Sequence, residues 1–290
     1  MRALPFASLL FVALFIVASR SVADEPGKFD PAKFLEAKAP TVVTVKSVLK
    51  IGDHERNDER SGFVVDPEGV ILIANWMPSR FSSQMKVTPV NIRILFDGDE
   101  KEYEAVQGAV DSKLGLAFLK VKDLAGKKVV SVDFAAGVEV KLGDELAGIT
   151  RTDQGFDYAP YYGTTRVVGQ VTKPRAMWLV TGFLAQALPL YTTDGRAAGV
   201  VVNQTGISED GGGSRWFLLP TKAVTGVIGQ AVKASAKALE EAKAHEAEAA
   251  AAMDDAGMGE PGMGEPGMGE PVPADTGMGA APAGMEGGAK

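Results

Sequence analysis

The chain of 290 residues contains no cysteine, which excludes disulfides, thiolate metal sites and cysteine nucleophiles. It has only two histidines, so imidazole is almost absent as an acid, base or metal ligand. His54 lies between Asp53 and Glu55 and His245 stands in a run of Ala, Glu and Lys; both read as solvated surface residues. P-loop, paired-histidine and Rossmann motifs are missing, so neither a cofactor nor a metal is expected. Long apolar runs are missing too, apart from Leu9 to Ala18. That run follows Arg2 and precedes the small residues Ser21-Val22-Ala23, the pattern of an export signal. It falls short of the ~18–20 apolar residues that cross a bilayer. No membrane span is therefore expected after cleavage, an uncleaved anchor being the alternative.

Stability without cross-links must come from a packed core. The net charge is −7, but Asp254, Asp255, Glu260, Glu265, Glu270, Asp275 and Glu286 against Lys290 give −6 beyond Met253 and leave −1 for the rest. Nothing in this balance points to nucleic acid. The chain divides into an export signal over 1–23, a polar leader over 24–39, a body over 40–232, a solvated helix over 233–252 and a tail over 253–290. In the tail, Gly257-Met258-Gly259-Glu260-Pro261 recurs from Gly262 and from Gly267. Such composition cannot recover its ordering entropy through burial, and it predicts disorder. Evenly spaced Met258, Met263 and Met268 could offer thioethers to Cu(I); repeat expansion in a solvated tail is the simpler account.

The body reads as all-β. Thr41 to Leu49 is rich in β-branched residues and predicts a strand, followed by a charged loop over Ile51 to Arg60. Ser61 to Val65, the turn Asp66-Pro67-Glu68-Gly69 and Val70 to Ala74 make a hairpin. Asn91 to Phe96, Tyr103 to Val110 and Leu116 to Val121 complete a first lobe. Val129 to Phe134, Glu145 to Thr150, Thr165 to Val171, Met177 to Thr181 and Arg215 to Leu219 supply a second, with a hairpin over Gln186 to Asn203 around Asp194-Gly195. Thr152 to Gly163 predicts an aromatic-rich loop, and Gly211 to Ser214 a flexible one. Two groups of about six short strands suggest two packed antiparallel barrels. Thr221 then caps a closing helix whose Val224, Val227, Ile228 and Val232 share one face. Beyond Val232 the helix has no apolar stripe and only Leu239 as a large apolar residue, so it is expected to project into solvent.

Several ordered segments resemble the HtrA/Deg branch of the trypsin-like serine proteases. Ser61 to Leu72 is similar to the family's G-S-G-F-V-I-D-P-D-G-Y-I-L, Asp111 to Lys120 to D-P-x-x-D-L-A-V-L-K, and Pro189 to Gly199 to the hairpin that follows the nucleophile. Leu142-Gly143-Asp144 and Phe217 to Val224 match further segments in the right order. The resemblance implies two six-stranded antiparallel β-barrels, a closing C-terminal helix and a catalytic centre between the barrels.

At that centre it implies loss. The general-base histidine aligns with Trp76, the orienting aspartate with Gly115 and the nucleophilic serine with Gln186; the first glycine of the oxyanion turn aligns with Leu184. Acyl transfer needs a hydroxyl, an imidazole and a carboxylate in sequence. An indole accepts no proton, glycine has no side chain, and an amide is a very poor nucleophile. No serine lies in a glycine-flanked elbow that would replace them. The resemblance also places the Trp76 ring in the cleft, either packed against the Gln186 turn or partly exposed as an anchor for an extended peptide, the former being favoured. The resulting expectation is an exported, periplasmic or extracellular pseudo-protease that binds or regulates another polypeptide. An active endopeptidase with displaced catalytic residues and a structural envelope protein are the alternatives. If the tail is disordered, a chain ended at Ala252 will unfold within a few degrees of the full mature chain in a thermal melt; a larger drop would show that the tail supports the fold.

Overall fold

The computed structural model describes residues 29–76, 86–182, 185–205 and 214–256. The export signal, Leu184, residues 211–213 and the repeats from 257 lie outside them. Strands β1 (Val42–Ile51), β2 (His54–Asp66), β3 (Val70–Ala74), β4 (Val87–Leu95), β5 (Glu102–Asp111) and β6 (Leu116–Val121) close into one barrel in the order β1-β2-β3-β6-β5-β4. Strands β7 (Glu145–Arg151), β8 (Pro160–Val171), β9 (Met177–Gly182), β10 (Pro189–Thr192), β11 (Ala197–Thr205) and β12 (Ser214–Pro220) close into a second. Read from β7, the second barrel repeats the order of the first, and every ladder is antiparallel. This is the trypsin-like double barrel that the sequence predicts.

Alternation along each strand builds the cores. Val43, Val45, Leu49, Ile71, Ile73, Ile94 and Leu119 point into the first barrel, and Leu146, Val167, Leu190, Val201 and Leu218 into the second. The opposite faces meet in a third core, where Val42, Phe63, Leu72 and Phe118 of one barrel pack with Ile149, Tyr191, Val200 and Leu219 of the other. Strand β6 is buried on both faces, which is why its sequence LAFLKV is nearly continuous apolar rather than alternating. Its one charge, Lys120, escapes desolvation by donating from Nζ to the Glu68 carbonyl at 2.5 Å. Each buried Val, Leu, Ile or Phe contributes about 1.5–3 kcal/mol.

Five local points go beyond or against the expectations. The charged stretch read as a loop belongs to β2, which pairs with β1 from Ile51↔His54 onward. The side chains of His54 to Asn57 are exposed on both faces, so there only the backbone ladder marks the strand, helped by cross-strand pairs such as Lys50–Glu55 at 3.3 Å. Conversely, Val129 to Phe134 forms no ladder strand. Val132 and Phe134 bury their side chains in the inter-barrel core, and a single N–H, that of Val132, donates to Val64 at 2.9 Å. The leader contains a helix, α1 (Pro31–Lys38), capped by the Asp30 carboxylate and anchored by buried Phe34. The aromatic loop is shorter than expected, because Pro160 already starts β8.

The fifth concerns α2 (Thr221–Ala256), which is a single helix of 36 residues. The compact unit ends at Glu246, and the last turns from Ala247 belong to a second unit. Within the first unit the helix stays buried past Val232, with Ser235 at 0% and Leu239 at 8% exposure. It is not solvated there because Gly108, at a register shift in β5, lets the Ser235 backbone approach closely. A Cβ on Gly108 would stand 2.2 Å from Ser235 Oγ and 3.1 Å from Ser235 Cα. Lys122 then pairs with Glu246 near the end of the unit. Gly108→Ala is expected to lower stability by about 1–3 kcal/mol in urea, and Ser235→Gly in the same chain to restore part of it. An unchanged midpoint for Gly108→Ala would mean that α2 does not lie on β5.

Candidate functional site

The three segments aligned with catalytic positions converge where β3, β6 and β10 begin or end. The chain leaving β3 is held by its Asn75 N–H, which donates to the Gly115 carbonyl at 2.9 Å. Gly115 precedes β6, after a turn in which the Asp111 carboxylate accepts from the N–H groups of Lys113 and Leu114 at 3.0 and 2.9 Å. From the second barrel, Gln186 Nε2 donates to the same Gly115 carbonyl at 2.8 Å. One acceptor with two lone pairs thus takes two donors, one from each barrel.

Both partners are shaped for this contact. Gly115 has φ +68°, and a Cβ there would come within 2.5 Å of Gln186 Nε2. The left-handed backbone favours glycine at 115, and a side chain there would push the Gln186 amide off its carbonyl. The turn carrying Gln186 is held by Ala187 at φ +60°, a left-handed conformation costing a non-glycine residue about 1–3 kcal/mol. Ala187 is fully buried and its N–H donates to Val201 at 2.8 Å, while Val201 N–H donates back to Leu188 at 2.9 Å. Nothing in the sequence marks Ala187 for this role.

Trp76 is not in the cleft. Its ring is buried within the first barrel, packed with that barrel's interior core, and its Nε1 donates to Ser47 Oγ at 3.2 Å. The Arg60 guanidinium lies 5.4 Å from the ring centroid, donates to the Ala74 carbonyl at 2.9 Å and pairs with Asp58 at 2.6 Å. The indole goes inward because the barrel offers it apolar neighbours, a cation on its face and an acceptor for its one N–H. The structure therefore joins Gln186 to Gly115 and brings the backbone beside Trp76 to them, but separates the Trp76 side chain from the Gln186 amide. His54 is exposed on β2 and His245 on α2. Among the described residues no group of three or more His, Cys, Asp or Glu could hold a metal ion, and no helix is long and apolar enough to cross a membrane.

A second polar centre carries no motif. Arg151, with a side chain 6% exposed, donates to the Val42 carbonyl at 2.9 Å, the Ala39 carbonyl at 3.0 Å and the Tyr158 carbonyl at 3.0 Å, and pairs with Asp97. One guanidinium thereby ties β7, β1, the segment after α1 and the loop over 152–159. That loop is closed by its own bonds: Thr152 N–H to Ala159 at 3.0 Å, Tyr158 N–H to Asp153 at 3.2 Å, and Asp153 Oδ1 accepting from Gly155 N–H at 3.0 Å. Asp157 and Tyr158 are successive left-handed residues at φ +55° and +53°. Beside α1, burial pushes the Lys38 ammonium below its ordinary pKa and the Tyr191 phenol above its own. The Lys38 Nζ lies 4.9 Å from the Tyr191 ring centroid.

No family model matches the chain, and no curated protein does. Among solved structures, the active form of the Rv3671c protease from M. tuberculosis aligns at 18% identity with a TM-score of 0.49, over 70% of this chain and 88% of that one. An inactive form of an Rv3671c serine-to-alanine mutant from M. tuberculosis H37Rv aligns at 16% identity with a TM-score of 0.45, over 70% and 94%.

The geometry at Gly115 generates a paired expectation. Gly115→Asp, which would put a side chain on a left-handed residue and push the Gln186 amide off its carbonyl, is expected to lower stability by about 1–3 kcal/mol, and Gln186→Ala to relieve only the part due to the displaced amide. Trp76→Ala is expected to cost about 3–5 kcal/mol, as other large core truncations do. Denaturation midpoints check both; a Gly115→Asp chain as stable as the parent would disprove the contact.

Proposed function

We propose that the chain is an exported, non-catalytic relative of the HtrA/Deg proteases that binds or regulates another polypeptide. The observation that carries this reading is the bond from Gln186 to Gly115. The place where a nucleophile would face its base is occupied by an amide already committed to a backbone carbonyl, and a left-handed glycine stands where the carboxylate would be. A nucleophile or base lost alone costs about a millionfold in a related triad, and here neither group has a chemical substitute near Gln186 among the described residues. Export rests on the sequence of Met1 to Ala23.

A polypeptide is the partner class because, with the chemistry removed, what the resemblance leaves is the substrate-holding half of a protease. The body is well suited to that task, since two closed barrels locked by a shared core present rigid surface loops. Purified mature protein is expected to leave a casein-type substrate intact and to take up no fluorophosphonate label, while retaining a partner from the exported fraction in a pull-down. Sustained turnover that a serine-directed inhibitor abolishes would refute the proposal; inertness together with failure to retain any protein would favour a purely structural body.

A further inference from the structure

The loop over 152–159 satisfies its own backbone and yet leaves Phe156 71% exposed, the highest value among the large apolar side chains described. Folding gives no reason for an apolar ring there. The ring sits on a 3₁₀ turn whose N–H groups are already bonded to Asp153 and Gln154, so a polar side chain would fit the turn equally well. Exposed aromatic side chains on rigid supports are what interfaces use as anchors, because little freedom is lost when they are covered.

The two residues that follow this ring in the loop, Asp157 and Tyr158, line a cavity of about 430 Å³ at the rim of the first barrel, together with residues that include Lys46, Asp99, Glu100 and Arg151. Its cations are spoken for: Lys46 pairs with Glu102 at 2.7 Å, and Arg151 with Asp97. Its anions are not. Glu100 and Asp157 are exposed and form no ion pair among the described residues. Asp99 holds Lys127 at 2.9 Å through one oxygen, while its other oxygen is buried with no hydrogen-bond partner. The uncompensated charge of the cavity is therefore negative. Such a field repels nucleic acid and anionic lipid and attracts a cation. The described residues hold no metal cluster, and the volume suits an organic side chain rather than a bare ion.

We infer that this surface docks a polypeptide segment carrying a lysine or arginine next to an apolar residue, the cation entering the cavity toward Glu100 and Asp157 and the apolar side chain covering Phe156. The inference rests on the polypeptide-binding reading above and names the chemistry of the partner and the face it uses, which is not the Gln186 turn. The left-handed pair Asp157 and Tyr158, fixed through the Tyr158 carbonyl on Arg151, keeps the carboxylate and the ring preorganised on one rigid loop.

The test uses the capped octapeptide Gly-Ser-Lys-Leu-Lys-Leu-Ser-Gly, fluorescently labelled, and its counterpart with both Lys replaced by Glu, titrated with full mature protein by anisotropy. The lysine peptide is expected to bind, with affinity falling as salt rises, and the glutamate peptide to bind at least tenfold more weakly. Phe156→Ala and the double change Glu100→Gln with Asp157→Asn should each reduce binding at least tenfold. All three positions are exposed, and asparagine tolerates the left-handed backbone at 157, so the fold is expected to persist, with circular dichroism as the check. Equal binding of both peptides, no binding of either, or full affinity in the variants would overturn the inference. So would self-association abolished by Phe156→Ala, which would assign the face to a second copy of the chain. Mass spectrometry of the recovered peptide separates the two readings: cleavage would sink the non-catalytic proposal itself, whereas an intact, unbound peptide sinks only this one.

Discussion

The two barrels share one carbonyl. Gly115 accepts from Asn75 at the end of β3 and from Gln186 at the head of β10, so a single oxygen fixes the strand ends of one barrel against the turn of the other. A functioning triad could not use the space this way, because it needs a carboxylate at 115 and a free hydroxyl at 186 to exchange a proton through an imidazole. Here the side chain is missing at one position and committed at the other. The third position has gone further, since Trp76 has turned into the first barrel and become part of its core. On the non-catalytic reading proposed above, the centre exchanges reactivity for rigidity.

That exchange matters in a chain without disulfides. Stability rests on three contiguous apolar cores, one inside each barrel and one between them, and on buried polar ties that orient the barrels. Arg151 is the chief of these: its charge is desolvated, but four acceptors on separate segments surround it. Removing a partner from so buried a cation costs more than the bond itself is worth. Thr150 and Ser61 add a second tie at 2.9 Å between β7 and β2. The rigid body that results can support loops, such as that over 152–159, whose strain would otherwise unfold them.

Much of this was legible in the residues. The Asp66-Pro67-Glu68-Gly69 and Asp194-Gly195 turns, with the apolar runs beside them, located two hairpins and hence the double barrel. The candidate site positions came from the family resemblance, which places a residue on the chain but does not aim its side chain, and so Trp76 was expected in the cleft. Patterns of apolarity failed where burial and secondary structure part company. The first residues of β2, His54 to Asn57, are exposed on both faces, Val129 to Phe134 is buried without a ladder, and α2 beyond Val232 packs through a glycine and a serine that leave no stripe. Arg151 and Ala187 gave no sign at all, because an isolated arginine or alanine becomes distinctive only through the distant groups that the fold brings to it.

The claim on which the account stands is that the Gln186 carboxamide is a fixed donor rather than a free side chain in an open cleft. Nuclear magnetic resonance of the ¹³C,¹⁵N-labelled chain reads this directly from the Gln186 side-chain amide. The account predicts slow exchange with water, a downfield shift of one proton and a scalar coupling across the hydrogen bond to the Gly115 carbonyl carbon. Rapid exchange at the shifts of a free glutamine would contradict it.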